Sequence, residues 1–257
     1  VFKLAQSMIG ESAAEWLDLV AISTISDIAP LRGENRTLAK FGLQALGERK
    51  NVGIQCLAEI AKLKSVKIDT GHVGFVLGPR INAAGRMSSP DTALRLLLTP
   101  SKREAASLAN ILNEENKARQ RQEREITREA IAKVERTVNF NKERVIVVDG
   151  REWHQGVIGI VASRLVEKYE RPAIVISVAG GVGKGSGRSI KGFHLFNALR
   201  SCAGKLEEFG GHEQAAGLSI LEKNIDGFRK SINEYAFANL DPAIMVKAVP
   251  IDLEIGL

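Results

Sequence analysis

The sequence predicts an α/β protein, and three observations carry that prediction. A strand–helix–strand succession follows residue 140, an uninterrupted helical stretch precedes it, and a near-continuous apolar run lies close to the start. With 257 residues and 44% hydrophobic content the chain can bury a real core, as one large domain or two ordinary ones. Its two cysteines, Cys56 and Cys202, form no C-x-x-C pair, which excludes a disulfide framework or a zinc ribbon and points to reduced thiols. No run of eighteen apolar residues occurs, and the opening "VFKLAQSMIG" lacks the parts of a secretory signal, so a cytoplasmic location without membrane contact is expected. The net charge of +6 favours a polyanionic partner.

Residues 1–100 begin with an apolar helical segment. "WLDLVAISTISDIAPL", Trp16 to Leu31, then reads as a buried strand with its exit loop, and "TLAKFGLQAL" reads as a helix, the whole resembling the end of an α/β layer. From Ser101 to Arg136 there is no glycine or proline, and Glu, Arg, Lys, Gln and Ala dominate, which predicts a long helix. Its apolar positions gather at Leu108, Ile111 and Leu112 and again at Ile126, Ile131 and Val134. The middle is polar on every side, as in a helix connecting two domains, so 101–140 is taken as the connector. In 141–240, "ERVIVVDG" is a buried strand, "GVIGIVASRLVEKY" a helix and "PAIVISV" a second strand, in the order of a parallel crossover. Residues 241–257 close on "VPIDLEIGL", an alternating apolar run.

Five segments carry candidate chemistry. "GGVGKGSGRS", Gly180 to Ser189, joins glycines to Lys184, Ser186, Arg188 and Ser189, the ingredients of a phosphate-binding turn; a glycine-rich hairpin with an exposed arginine fits equally well. It fits no Walker A, dinucleotide or serine-hydrolase pattern. "GFVLGPRINAAGRM", Gly74 to Met87, sets Arg80 and Arg86 around a small-residue turn with Asn82, so that two guanidiniums face successive phosphates; capping and surface ion pairs are the alternative. Asp27 follows the apolar run, where a carboxylate serves as metal ligand or as a helix cap. In "EWHQGVIG" Trp153 reads as a packing residue. "EFGGHEQAAGLSI" holds His212 on an open turn after Gly210 and Gly211, with φ > 0 available to both glycines.

In their order, "DLVAISTISDIAPLRGENRTLAKFGLQAL", "GFVLGPRINAAGRM", "REWHQGVIGIVASRLVEKYERPAIVIS", "GKGSGRSI" and "FGGHEQAAG" resemble the RecJ family of single-strand-specific 5′-to-3′ DNA exonucleases, of the DHH phosphoesterase superfamily. The resemblance implies the tail of a parallel-sheet DHH domain, a long connecting helix and a smaller α/β DHH-associated domain with a mixed sheet. It also implies hydrolysis of single-stranded DNA to 5′-mononucleotides in repair and recombination, with Mn²⁺ or Mg²⁺ as cofactor and a helicase or single-strand-binding protein as partner. Asp27 would be a metal ligand and catalytic, Arg80 a contact to DNA phosphate with Asn82 and Arg86 shaping its segment, and Ser186 and Arg188 the pocket for the 5′-terminal phosphate. His212, also catalytic, would face that groove with Gly210 and Gly211. The family's earlier aspartates and its Asp-His-His triplet are absent, so the metal site is incomplete, and the closing "IDLEIGL" resembles the strand leading into the family's OB-fold. The superfamily resemblance also admits a phosphodiesterase acting on short oligonucleotides or cyclic dinucleotides, and a non-catalytic nucleic-acid-binding module.

Overall fold

The computed structural model describes residues 1–247, so "VPIDLEIGL" lies outside the described residues. The chain divides into two compact units between Gln120 and Arg121, inside one helix. In the first unit α1 (Phe2–Ile9) leads through a 3₁₀ stretch to α2 (Leu17–Ser26), α3 (Gly33–Glu48) and α4 (Val52–Ile60). A helical turn, α5 (Thr70–His72), runs through a π-helical segment (Val73–Leu77) into α6 (Gly78–Met87); α7 (Asp91–Leu98) and the start of α8 (Lys102–Thr137) follow.

No strand forms among the described residues of this unit, which corrects the expected strand at Trp16–Leu31. The buried positions of α2 are Asp18, Ala21, Ile22 and Ile25, spaced i, i+3, i+4 and i+7, so the run was a helix stripe hidden by apolar neighbours on its other faces. Gly42 of α3 lets the two helices cross closely, because a Cβ there would lie 2.2 Å from the Leu17 carbonyl oxygen. Leu46, Ile54, Leu57, Leu77, Leu96 and Leu112 fill the core. The expected turn around Pro79 is likewise helical: proline fits the first turn of α6, and Ala83 and Ala84 are fully buried. Arg80 and Arg86 therefore stand six residues apart on a helix, about 120° apart around its axis, instead of side by side on one loop.

The long helix appears where the sequence placed it, as α8, with Leu108, Leu112, Ile126 and Val134 buried. Ile111 is 45% exposed, whereas Asn113 and Asn116 in the polar middle are buried.

The second unit is built on one five-stranded mixed sheet in the order β1–β2–β3–β5–β4. The strands are β1 (Ile146–Arg151), β2 (Ala173–Ala179), β3 (Val182–Arg188), β4 (Glu208–Gly211) and β5 (Ala215–Leu221). As expected, β1 and β2 are parallel and joined through α9 (Gln155–Tyr169); the remaining pairs are antiparallel. On one face Ile174, Ile176, Leu218 and Ile220 pack with Phe193 and with Leu195 of α10 (Leu195–Ser201) and Phe228 and Ile232 of α11 (Ile225–Asn239). On the other lies α9, tied to α8 by the Glu129 carboxylate, which accepts from Trp153 Nε1 at 2.8 Å, and by Arg164–Glu123 and Lys168–Glu135. Trp153 is 7% exposed, and a Cβ on Gly150 would strike its indole ring, which supports the packing role read from the sequence.

The outer edge of β1 is closed by side chains. Asn233 Nδ2 donates to the Val145 carbonyl at 3.1 Å, Arg229 Nε to that of Val147 at 3.1 Å, and Lys133 Nζ to that of Asp149 at 2.7 Å. Asn233 Oδ1 also accepts from the amides of Arg144 and Val145, at 2.8 and 2.9 Å. Three successive odd-numbered carbonyls are thereby satisfied, and the strand is denied to another chain. Asn233 is 6% exposed, so Asn233→Ala strands two amides and a carbonyl in a dry place. A loss of roughly 2–4 kcal/mol in urea unfolding is expected, since each orphaned buried group costs about 1–3 kcal/mol.

Candidate nucleic-acid interface

In the first unit a cleft of about 610 Å³ is lined by Ser26, Asp27, Asn35, Gly78 and Asn82, among others. Two of the sequence-predicted residues, Asp27 and Asn82, thus share a wall, but Arg80 and Arg86 do not line it. Arg80 Nε donates to Asn113 Oδ1 at 3.1 Å and Nη1 to the Val76 carbonyl at 2.8 Å, and its burial pulls the guanidinium pKa down. Gly78 and Asn35 were missed from the sequence. A Cβ at Gly78 would lie 2.2 Å from Ser26 Oγ, so this glycine lets α6 close on the end of α2 beside Asp27. Ser26 Oγ is buried without a hydrogen-bond partner, in a residue that lines the cleft together with the Asp27 carboxylate and the amides of Asn35 and Asn82.

Asp27 is the cap residue that ends α2, not the end of a strand. The stop is a full Schellman motif: the Ile28 amide donates to the Ile25 carbonyl and that of Ala29 to Thr24, both at 3.1 Å. Its left-handed position, glycine in most proteins, is filled by Ile28 at φ 55°, with the side chain 88% exposed. A β-branched residue gains nothing there to offset its strain. Ile28→Gly should therefore raise the stability of this chain by about 1 kcal/mol in urea unfolding, the left-handed penalty less the entropy cost of glycine; a loss would mean that Ile28 makes contacts worth more than its strain.

In the second unit the stretch Gly180–Ser189 resolves into a turn and a strand. Gly180 and Gly181 carry the turn at φ 57° and 80°, and β3 follows at once. Gly183, Gly185 and Gly187 face the core, against Ile176, Leu218 and Leu195 at distances no Cβ could accept. Lys184, Ser186 and Arg188 alternate with them onto the other face. Gly183, Gly185 and Gly187 thus make room for the core, while Lys184, Ser186 and the half-buried Arg188 face away from it.

That other face is open over β3, β5 and β4 and forms a groove of about 510 Å³, lined by Gln155 and Ile158 of α9, Lys184, Ser186, Glu208, Gly210, Gly217 and Ser219, among others. Register sets its rows: Ser186 pairs with Gly217 and Gly217 with Gly210, while one step along Lys184 pairs with Ser219 and Ser219 with Glu208. Arg188 Nη1 donates to Ser186 Oγ at 3.2 Å and to the Gly187 carbonyl at 2.8 Å, and the pair lies 3.0–3.1 Å from where a Cβ on Gly159 of α9 would be. Ser186 and Gly210 are thus brought together. His212 stands outside the lining, on the exposed turn between β4 and β5; its Nδ1 accepts from the Gln214 amide at 3.3 Å, which leaves Nε2 as the donor. Gln155, Glu208 and Ser219 were missed. The alternation of β3 could have signalled the face but not its partners on other strands.

Gly210 and Gly211 have different reasons to be glycine. Gly211 sits at φ 139°, and a Cβ would meet the Ala215 carbonyl oxygen at 2.4 Å; Gly210 has no positive φ and nothing within 4 Å of a Cβ. Gly211→Ala should cost at least 1–3 kcal/mol of stability, whereas Gly210→Ala should leave unfolding within about 0.5 kcal/mol of the parent. Circular-dichroism melts of the two variants make the comparison.

Residues 142–237 match the DHHA1 domain, so the sheet unit is of that class. Beyond that unit, the chain is 39% identical over 258 residues to the single-stranded-DNA-specific exonuclease RecJ of Bacillus subtilis, covering 100% of this chain and 33% of that protein. It is 39% identical to the Escherichia coli RecJ over 90% of this chain and 42% of that one. The crystal structure of Thermus thermophilus RecJ in complex with Mg²⁺ superposes with a TM-score of 0.80 at 37% identity, over 89% of this chain and 35% of that one. A manganese-bound exonuclease RecJ matches with a TM-score of 0.77 at 38% identity, over 91% and 57%. The chain is thus similar to RecJ proteins along its whole length and spans a third to two fifths of the length of these curated relatives.

Proposed function

We propose that this chain is the strand-gripping part of a 5′-to-3′ single-stranded-DNA exonuclease, and that the groove of the second unit holds the 5′-terminal phosphate. The observation that carries this reading is the Ser186–Arg188 pair beside a floor of two bare glycines, Gly210 and Gly217, neither of which the fold requires. A backbone without side chains admits a phosphate closely, a hydroxyl and a guanidinium fork supply donors, and the net charge of +6 draws in the strand. His212 Nε2 is a further donor at the rim. In the first unit Asp27, Asn82, Arg80 and Arg86 would serve the scissile end.

Metal chemistry does not follow from these residues alone. Asp27 is the only carboxylate lining its cleft, and among the described residues no three His, Cys, Asp or Glu side chains come together. A two-metal phosphodiesterase site needs several such ligands, so Asp27 is proposed as one ligand of a Mn²⁺ or Mg²⁺ centre whose others lie elsewhere. The 257-residue chain should accordingly bind single strands and leave them uncut in excess Mn²⁺.

In anisotropy titrations with a 5′-phosphorylated oligonucleotide, Arg188→Ala should weaken binding by roughly 1.5–3 kcal/mol, the range for hydrogen bonds to charged groups, and hardly change binding of 5′-hydroxyl ends. Affinity should fall with salt at a log–log slope of about −0.7 per phosphate neutralised. Equal losses on both ends would reduce the groove to a general basic surface, and tighter binding of dinucleotides than of long strands would favour a short-oligonucleotide phosphodiesterase.

A further inference from the structure

Within the second unit, α8 is fastened on one side and open on the other. Ile126, Ala130 and Val134 are buried, and Glu123, Glu129, Lys133 and Glu135 hold the helix there, bonded to Arg164, Trp153, Asp149 and Lys168. Arg121, Arg124 and Arg128 stand roughly opposite the buried stripe, within about 60° of arc at about 100° per residue. All three are exposed, and none of their side chains forms a hydrogen bond or ion pair among the described residues. Glu125 lies four residues after Arg121 and three before Arg128, spacings at which helix ion pairs form, yet it bonds to neither. A shallow recess of about 270 Å³ lies among these four residues.

We infer that this arginine row is a second contact for a single strand of nucleic acid, made to its sugar-phosphate backbone and indifferent to the chemistry of its end. The inference rests on a single strand as partner but not on the groove over β3, β5 and β4, with whose lining the row shares no residue. From Arg121 to Arg128 the row covers about 10.5 Å of helix axis at about 1.5 Å per residue. A stacked strand sets a phosphate about every 3.4 Å, so three guanidiniums meet about three successive phosphates. An acidic peptide would need carboxylates at that same regular spacing, which a nucleic-acid strand supplies at every residue. Because these cations are unmatched, a strand can shed its counterions against them without first displacing a protein carboxylate. The recess holds no aromatic ring, so the contact positions the strand and reads no base.

The test titrates the 257-residue chain against 3′-labelled oligothymidylates carrying a 5′-hydroxyl or a 5′-phosphate, by anisotropy over a range of salt. The triple variant Arg121→Gln, Arg124→Gln, Arg128→Gln should weaken both strands by the same factor and make the log–log salt slope shallower by about 2, at about 0.7 for each phosphate released. The triple variant Lys64→Gln, Lys67→Gln, Lys223→Gln removes the same charge from exposed positions elsewhere and should keep the parent's slope. Because the three arginines hold nothing in the fold, their variant should melt with the parent. Equal slopes for the two triple variants, or a loss confined to the 5′-phosphate strand, overturns the inference. Arginine-dependent binding of polyglutamate with DNA binding unchanged gives the face to an acidic protein and overturns it as well. A 5′-phosphate that adds nothing to the parent's affinity fails the groove alone, and the row is then judged on the 5′-hydroxyl strand; a parent that binds neither strand overturns both readings.

Discussion

The pleat of β3 is the constraint on which the second unit depends. Seven residues, Val182–Arg188, must serve a packed core on one side and a polar groove on the other, and the period of two assigns them without overlap. Glycine at 183, 185 and 187 lets Ile176, Leu218, Leu195 and Ile174 come up against the strand backbone, and the three residues between carry all of its groove chemistry. A shift of one residue in the pairing of β3 would bury Lys184, Ser186 and Arg188 and turn the glycines out. The core that fixes the register therefore also sets which face of β3 carries the donors.

Register alone would not hold the sheet, because a mixed sheet has two edges. The long edge, β1, is covered by Asn233, Arg229 and Lys133, and the Asp149 carboxylate joins the two cations, 2.8 Å from Lys133 Nζ and 3.0 Å from Arg229 Nη2. These ion pairs are half-buried and lock α8 and α11 to the strand. The other edge, β4, is four residues long and ends in two glycines, which leaves the groove accessible while offering little strand to pair with. Closed on one side and short on the other, the sheet is accessible where the proposed ligand lies.

How much of this was legible in the sequence depends on whether a signal was local. The long helix, the parallel strand pair and the packing of Trp153 were readable because periodicity, composition and strand–helix–strand order are local properties. The Asp27 segment failed for a physical reason: an apolar run with hydrophobic residues on every face looks alike at period 2 and period 3.6, and only the burial of Asp18, Ala21, Ile22 and Ile25 reveals the helix. The glycine stretch was read for its residue types and not for its pleat. Its alternation was present, but glycines beside a lysine and an arginine drew attention to phosphate chemistry, and the core that the glycines accommodate comes from β2, β5 and α10, far away in sequence. Ser186 and Arg188 were found as residue types; Gln155, Glu208 and Ser219 needed the fold.

The first unit shows how a helix stop can substitute for a strand end in presenting a carboxylate. In open α/β sheets a catalytic acid projects from the carboxyl end of a strand because the chain must turn there. Here the turn is the Schellman motif that ends α2, and its paired amide–carbonyl bonds hold the backbone on both sides of Asp27. Two features bind that stop to its surroundings. Asn35 Nδ2 donates to the Pro30 carbonyl at 3.2 Å, fastening the exit loop to α3, and Gly78 admits Ser26 Oγ where any side chain would collide, fastening α6 to the last turn. The strained, exposed Ile28 is the one part of this arrangement that the described residues do not repay, and strain of that kind persists where the surrounding structure over-determines it. The backbone around Asp27 is thus held by the paired bonds of the helix stop, by Asn35 on the exit loop and by the close approach of α6 at Gly78.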